Sequence, residues 1–83
     1  IPVTANKAST SHLLGAAGGI EAIVSILSLR NGLIPPTANF ETPDPEASVD
    51  QVVGSPRQRP LRSVLSNSAG FGGCNAAALF TAR

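Results

Sequence analysis

The chain is expected to be α/β: one nearly all-apolar helix in its first half, a long irregular connection, and two strands at its end. Three features support this. An apolar run from Leu13 to Leu29 carries a single charge, six prolines punctuate residues 35–60, and residues 61–68 and 76–82 read as strands around a glycine-rich turn. The core that such elements can build by themselves is small. Of the 35 apolar residues among 83, twelve are alanine, while Leu, Ile, Val and Phe number 22 and Trp, Tyr and Met are absent. One cysteine and one histidine supply neither an internal disulfide nor four metal ligands, so the usual staples of a small domain are excluded.

Residues 1–11 are mostly polar, with Thr4, Ser9, Thr10 and Ser11 around Lys7. The helix follows. Leu13, Leu14, Ala17, Ile20, Ala22, Ile23, Val24, Ile26, Leu27 and Leu29 leave it almost no polar face, which predicts burial nearly all round. Ser9, Thr10 or Ser11 is expected to cap its start, and Asn31-Gly32 to end it in a left-handed turn, with Arg30 at the negative end of the dipole. A membrane span is the competing reading of the run. Its 17 residues are at the short limit for a span, and Gly15, Gly18, Gly19, Glu21, Ser25 and Ser28 interrupt it, so a buried helix and no membrane partner is the expectation.

The proline-rich stretch holds four of the five acids, Glu41, Asp44, Glu46 and Asp50, and is expected to run over the surface, with a short extended piece at residues 49–53. From residue 61 to 68 the chain alternates, with Leu61, Ser63, Leu65 and Asn67 on one side and Arg62, Val64, Ser66 and Ser68 on the other; residues 76–82 form the second strand. The three glycines of Gly70-Phe71-Gly72-Gly73-Cys74-Asn75 predict a tight turn where backbone approaches something closely.

Charged residues make up 13% of the chain, against ~25% in ordinary soluble domains. Surfaces so poor in charge are expected to face other protein, and with a start at Ile1-Pro2-Val3 the sequence reads as a piece of a longer chain. A net charge of +1 and three phenylalanines as the only aromatics argue against a nucleic-acid partner.

Few residues can carry chemistry. His12 stands at the start of the helix, where the positive dipole end favours a neutral ring able to donate a hydrogen bond to a carbonyl oxygen; a packing or capping histidine is the alternative. Glu21, alone among apolar residues, needs a cation, and either Lys7 or an arginine can supply it. Cys74, flanked by Gly73 and Asn75, reads as a small buried hydrophobe rather than a nucleophile. The glycine turn lacks the Lys-Ser/Thr of a phosphate loop and leads into a strand. Arg57, Arg59 and Arg62 are expected to be solvated loop charges.

Lys7-Ala8-Ser9-Thr10-Ser11-His12-Leu13-Leu14-Gly15-Ala16-Ala17-Gly18, followed by Glu21-Ala22, resembles the lysine and histidine segment of β-ketoacyl-acyl carrier protein synthases. Pro35-Pro36-Thr37-Ala38-Asn39, Thr42-Pro43-Asp44-Pro45-Glu46 and Asn67-Ser68-Ala69-Gly70-Phe71-Gly72-Gly73-Cys74-Asn75 resemble the later landmarks of the same family, in order. The resemblance implies that residues 1–83 are the C-terminal part of the C-terminal half of a thiolase-like fold, contributing a buried helix and a terminal two-strand hairpin. It implies an acyltransferase that condenses an acyl group, held as a cysteine thioester, with malonyl-acyl carrier protein, losing carbon dioxide and extending a fatty-acid or polyketide chain. Acyl carrier protein and acyl thioesters are the implied partners, a cytoplasmic homodimer the implied setting, and no metal or redox cofactor is implied.

Under the same resemblance His12 matches the second histidine of a Cys-His-His set, donating to the malonyl thioester carbonyl as the enolate forms. Lys7 matches the lysine that organises the histidine site, and Glu21 the glutamate paired with that lysine. Phe71 matches a gatekeeper whose ring controls access to the acyl pocket and whose backbone N–H belongs to an oxyanion hole. The nucleophilic cysteine and first histidine of the set lie upstream of these segments, so the 83 residues alone are expected to be inactive, and Cys74 stands where the family commonly has threonine. Ser9 for methionine, Ser11 for the glycine before the histidine and Ala69 for phenylalanine are the departures, of which Ser11 bears most directly on His12. A silent partner subunit of the chain-length-factor kind is the alternative reading.

Overall fold

The computed structural model describes residues 1–82. Its frame is a helix lying on a hairpin, with two small strand pairs beside them. In chain order the elements are β1 (Pro2–Val3), α1 (Lys7–Thr10), a 3-10 turn at Leu14–Ala16, α2 (Ala17–Asn31), β2 (Leu33–Ile34), β3 (Asp50–Gln51), β4 (Arg57–Gln58), β5 (Ser63–Ala69) and β6 (Asn75–Thr81). β1 pairs parallel with β3, β2 antiparallel with β4, and β5 antiparallel with β6 in the register Val64 opposite Phe80 and Leu65 opposite Leu79.

Helical structure runs from Leu14 to Asn31, close to the expected span, but its start differs from the expectation. Ser9 and Thr10 belong to α1, a separate four-residue turn, and Ser11 ends that turn by donating its N–H to the Lys7 carbonyl at 2.8 Å. Those hydroxyls therefore cap nothing in α2, whose first residues follow Ala16 without any side-chain cap. The expected C-terminus is found: Gly32 adopts φ 63°, ψ 34° and donates its N–H to the Ser28 carbonyl. A Cβ at Gly32 would also lie 3.1 Å from the Arg59 carbonyl oxygen, so glycine is required there by conformation and by space.

Burial of α2 on all sides is not what the structure shows. Glu21, Val24, Ser25 and Ser28 form the covered stripe, whereas Ile23, Ile26 and Leu27 on the opposite stripe are exposed, Ile23 to 54% and Leu27 to 50%. The reason is arithmetic of cover: the hairpin and β2 can shield one side of a helix that is apolar on all of them. On the hairpin, Val64, Ser66 and Ser68 are the half-covered side, while Leu65 and Leu79 face outward together. Among the described residues the buried apolar side chains are Ile34 and Val52.

Val52 comes from the extended piece expected at residues 49–53. Its side chain is 1% exposed and both its backbone groups are engaged, the N–H by the Val3 carbonyl at 2.9 Å and the carbonyl by the Thr37 N–H at 2.8 Å. The acidic connection around it is exposed from Asn39 to Asp50, as expected. Arg57 is not merely solvated. Its guanidinium donates to both oxygens of Asp50 at 2.7 and 3.0 Å, tying β4 to β3. That hydrogen-bonded pairing holds the Asp50 carboxyl below its usual value and raises the guanidinium of Arg57.

Candidate functional site

The site begins at the corner where β1 gives way to α1. Lys7 is the first residue of α1, and its ammonium forms an ion pair with Glu21 near the start of α2. Of the cations left open for Glu21 by the sequence, Lys7 or an arginine, Lys7 is therefore the partner. The glutamate side chain is 17% exposed and the lysine 45%, so the carboxylate is largely withdrawn from water and compensated by a charge that still reaches it. Both residues line a cavity of about 460 Å³ between the N-terminal strand, α2 and β5, together with Val24, Ser25, Ile34 and Val64.

His12 is placed differently from the expectation. It precedes the 3-10 turn by two residues rather than sitting in the first turn of a buried helix, and it is exposed. A specific hydrogen bond acts on the ring there: Nδ1 accepts the backbone N–H of Leu14 at 3.1 Å. With Nδ1 occupied as an acceptor, the neutral ring carries its proton on Nε2, which is free to donate. The backbone on either side of the histidine is unusual. Ser11 has φ 66° and ψ 169°, and Leu14 has φ 52°, both in regions that favour glycine. The left-handed turn at Leu14 accompanies the N–H contact to His12, and the conformation at Ser11 sets the direction in which the chain enters it.

Phe71 stands at the far end of the hairpin. The tip from Gly70 to Cys74 is closed by the Gly70 N–H donating to the Cys74 carbonyl at 2.5 Å, and Gly72 and Gly73 adopt φ 83° and 82°. The last two glycines have open space where a Cβ would be, so the turn itself requires them. The close approach expected of the glycines is seen at Gly70, where a Cβ would lie 3.3 Å from the Cys74 carbonyl oxygen. Phe71 is fully exposed there, and Cys74 is exposed as well, against the expectation of a buried hydrophobe, because neither face of the tip is covered.

The structure thus joins Lys7 to Glu21, and neither His12 nor Phe71 lines the cavity those two share. Among the described residues no cluster of three His, Cys, Asp or Glu side chains could hold a metal ion, and no helix is long and apolar enough to cross a membrane. One contributor escaped the sequence reading. The Thr37 hydroxyl accepts the Ala5 N–H at 3.1 Å just before Lys7, and the position of Thr37 after Pro35-Pro36 gave no hint of that role.

Residues 1–41 match the family model for the β-ketoacyl synthase C-terminal domain. A Streptomyces halstedii protein named as a polyketide β-ketoacyl synthase is 48% identical over 80 residues, covering 96% of this chain and 19% of that protein. The 3-oxoacyl-acyl-carrier-protein synthase 2 of Synechocystis is 45% identical and that of Staphylococcus aureus 46%, each over 96% of this chain, with 19% and 20% of those proteins covered. Among solved structures, a type II polyketide ketosynthase in complex with its acyl-carrier protein superposes with a TM-score of 0.95 at 31% identity, covering all of this chain and 20% of that one. The ishigamide ketosynthase/chain length factor superposes with a TM-score of 0.93 at 34% identity, over 96% of this chain and 20% of that one. The chain spans about a fifth of the length of these relatives.

Proposed function

Because this chain belongs to the β-ketoacyl synthase family, we propose that it forms the decarboxylation side of a condensing active site, in a protein of its relatives' length. That full-length protein, carrying these 83 residues as the C-terminal part of its thiolase-like fold, joins an acyl group on its own cysteine to C2 of a malonyl group delivered by acyl carrier protein. The bond from C2 to the malonyl carboxylate breaks, carbon dioxide leaves, and the electron pair passes through an enolate to the acyl carbonyl. The cysteine thiolate is released as the new carbon–carbon bond forms.

The observation that carries this reading is the His12 ring, held by the Leu14 N–H so that Nε2 has a proton to give. A donor fixed in that sense stabilises negative charge developing on the malonyl thioester oxygen without being consumed in the step. Lys7, paired with Glu21, has the role of organising the histidine site that its match to the family's lysine implies. Phe71 supplies a backbone N–H to the acyl carbonyl and a ring that gates the acyl chain. A cytoplasmic homodimer served by acyl carrier protein is the setting proposed for the full-length protein, and the 83 residues alone are inactive for want of the nucleophile. Acyl carrier protein is named with the polyketide neighbour's structure, which supports that partner.

The alternative, a silent partner of the chain-length-factor kind, is favoured by one observation, the likeness to a ketosynthase/chain length factor structure. Intact-mass spectrometry of the full-length protein after incubation with an acyl-thioester donor separates the two. One covalent acyl group is expected, with carbon dioxide release from malonyl-carrier protein falling about 100- to 1,000-fold in His12→Ala. No adduct would establish the silent partner, and undiminished decarboxylation in His12→Ala would remove the role given to His12.

A further inference from the structure

α1 is too short to hold Lys7 in place. It has four residues, no side-chain cap and no buried residue, and an isolated turn of that length is unstable in water. The position of Lys7 is therefore inherited from the three residues before it. Among the described residues, the hydrogen bonds by which Thr4, Ala5 and Asn6 reach beyond α1 end on two residues, Pro35 and Thr37. The Thr4 hydroxyl donates to the Pro35 carbonyl at 2.5 Å. The Thr37 hydroxyl accepts the Ala5 N–H and also accepts from the Gln51 side-chain amide. Since the Thr4 proton is already given to Pro35, the remaining contact, 3.5 Å between the two hydroxyls, has Thr37 as donor. That uses the full capacity of one hydroxyl, two acceptances and one donation, while the Thr37 backbone N–H binds the Val52 carbonyl.

We infer that Thr37 is the positioning residue for the Lys7–Glu21 pair, its hydroxyl fixing the corner from which Lys7 projects and registering that corner against β3. Valine at residue 37 would keep the shape and leave the Ala5 N–H and the Gln51 amide without their acceptor. The geometry stands independently of the condensing-enzyme reading; the effect on turnover rests on it.

The test compares Thr37→Val and Thr37→Ser with the unchanged full-length protein. Reductive methylation of Lys7, read by peptide mass spectrometry, is expected to run at least about twofold faster in Thr37→Val and at the original rate in Thr37→Ser. Malonyl decarboxylation is expected to fall at least about tenfold in kcat in Thr37→Val with KM within about twofold, and to recover with serine, since small misplacements of a site group act on turnover more than on binding. Unchanged Lys7 labelling in Thr37→Val, or labelling that stays raised in Thr37→Ser, overturns the inference. Absence of decarboxylation in the unchanged protein removes the proposed function instead, and the labelling still decides Thr37. Should the valine variant not fold, hydrogen exchange of the unchanged protein decides: the Ala5 amide, exposed and outside regular structure, is expected to be protected, and exchange at the free rate overturns the assignment.

Discussion

Replacing Ser11 with glycine removes a side chain from a backbone that glycine alone adopts readily. At φ 66° and ψ 169° a residue with a Cβ carries a penalty of about 1–3 kcal/mol. The serine offers little in return. Its side chain is exposed and its hydroxyl makes no hydrogen bond among the described residues, while the N–H contact to Lys7 belongs to the backbone and survives the change. Against the relief stands the larger freedom that glycine has in the unfolded chain, worth about 0.4–1 kcal/mol. The net expectation is a stabilisation of about 1 kcal/mol, a roughly fivefold shift in the folding equilibrium. Urea denaturation of the full-length protein reads this as a higher midpoint at unchanged slope. Ser11→Ala, which keeps the Cβ and hence the penalty, should stay at the original midpoint. A glycine variant at or below that midpoint, or an alanine variant that rises with it, would refute the reasoning from backbone strain.

Four further outcomes follow from the geometry. Glu21→Gln should lower stability by less than about 1 kcal/mol, because Lys7 is half exposed and screened, yet depress decarboxylation severalfold; equal losses in both assays would contradict a positioning role. The Asp50 carboxyl should titrate below 3.8 by NMR and return towards it in Arg57→Ala. Because its folded value is depressed, the pair's contribution is present above the unfolded carboxylate range and lost as pH falls through the folded value, so a contribution that grew on acidification would reverse the sign worked here. Gly73→Ala, with φ 82° and free space around it, should destabilise the hairpin by about 1 kcal/mol or more through conformation alone, checked by the same urea midpoint. The 83-residue chain alone, with Ile34 and Val52 as its buried apolar residues among those described, should show no cooperative thermal transition by circular dichroism; a sharp sigmoid would show that it folds by itself.

What the sequence revealed and what it hid divide along physical lines. The end of α2 was legible because Gly32 states a local backbone requirement, and β5 because alternation along residues 61–68 is a local pattern. The start was not legible, since the same serines and threonine suit a cap or a short turn, and the choice depends on where Leu14 breaks the chain. Apolarity around α2 predicted burial nearly all round, which the structure does not show: how much cover exists is a property of the neighbours, and Ile23 and Leu27 go without it. Lys7 and Glu21 could be proposed as partners from charge in an apolar run, whereas the Leu14 N–H on His12 and the Ala5 N–H on Thr37 depend on backbone geometry that no residue type announces.

The β5–β6 hairpin separates two kinds of change. Seven paired positions on each strand fix the arm, and its inner side is held against α2, so substitutions along the ladder are read by the whole fold. The five residues from Gly70 to Cys74 are closed on themselves by one backbone hydrogen bond, and among the described residues they are tied to that arm by the Asn75 side-chain amide donating to the Gly73 carbonyl at 3.5 Å. A tip built this way can be exchanged as a cassette. Loops of equal length with positive-φ residues in the third and fourth places could be transplanted from one relative to another, exchanging Phe71 with the rest of the tip while the arm that carries it goes on folding unchanged.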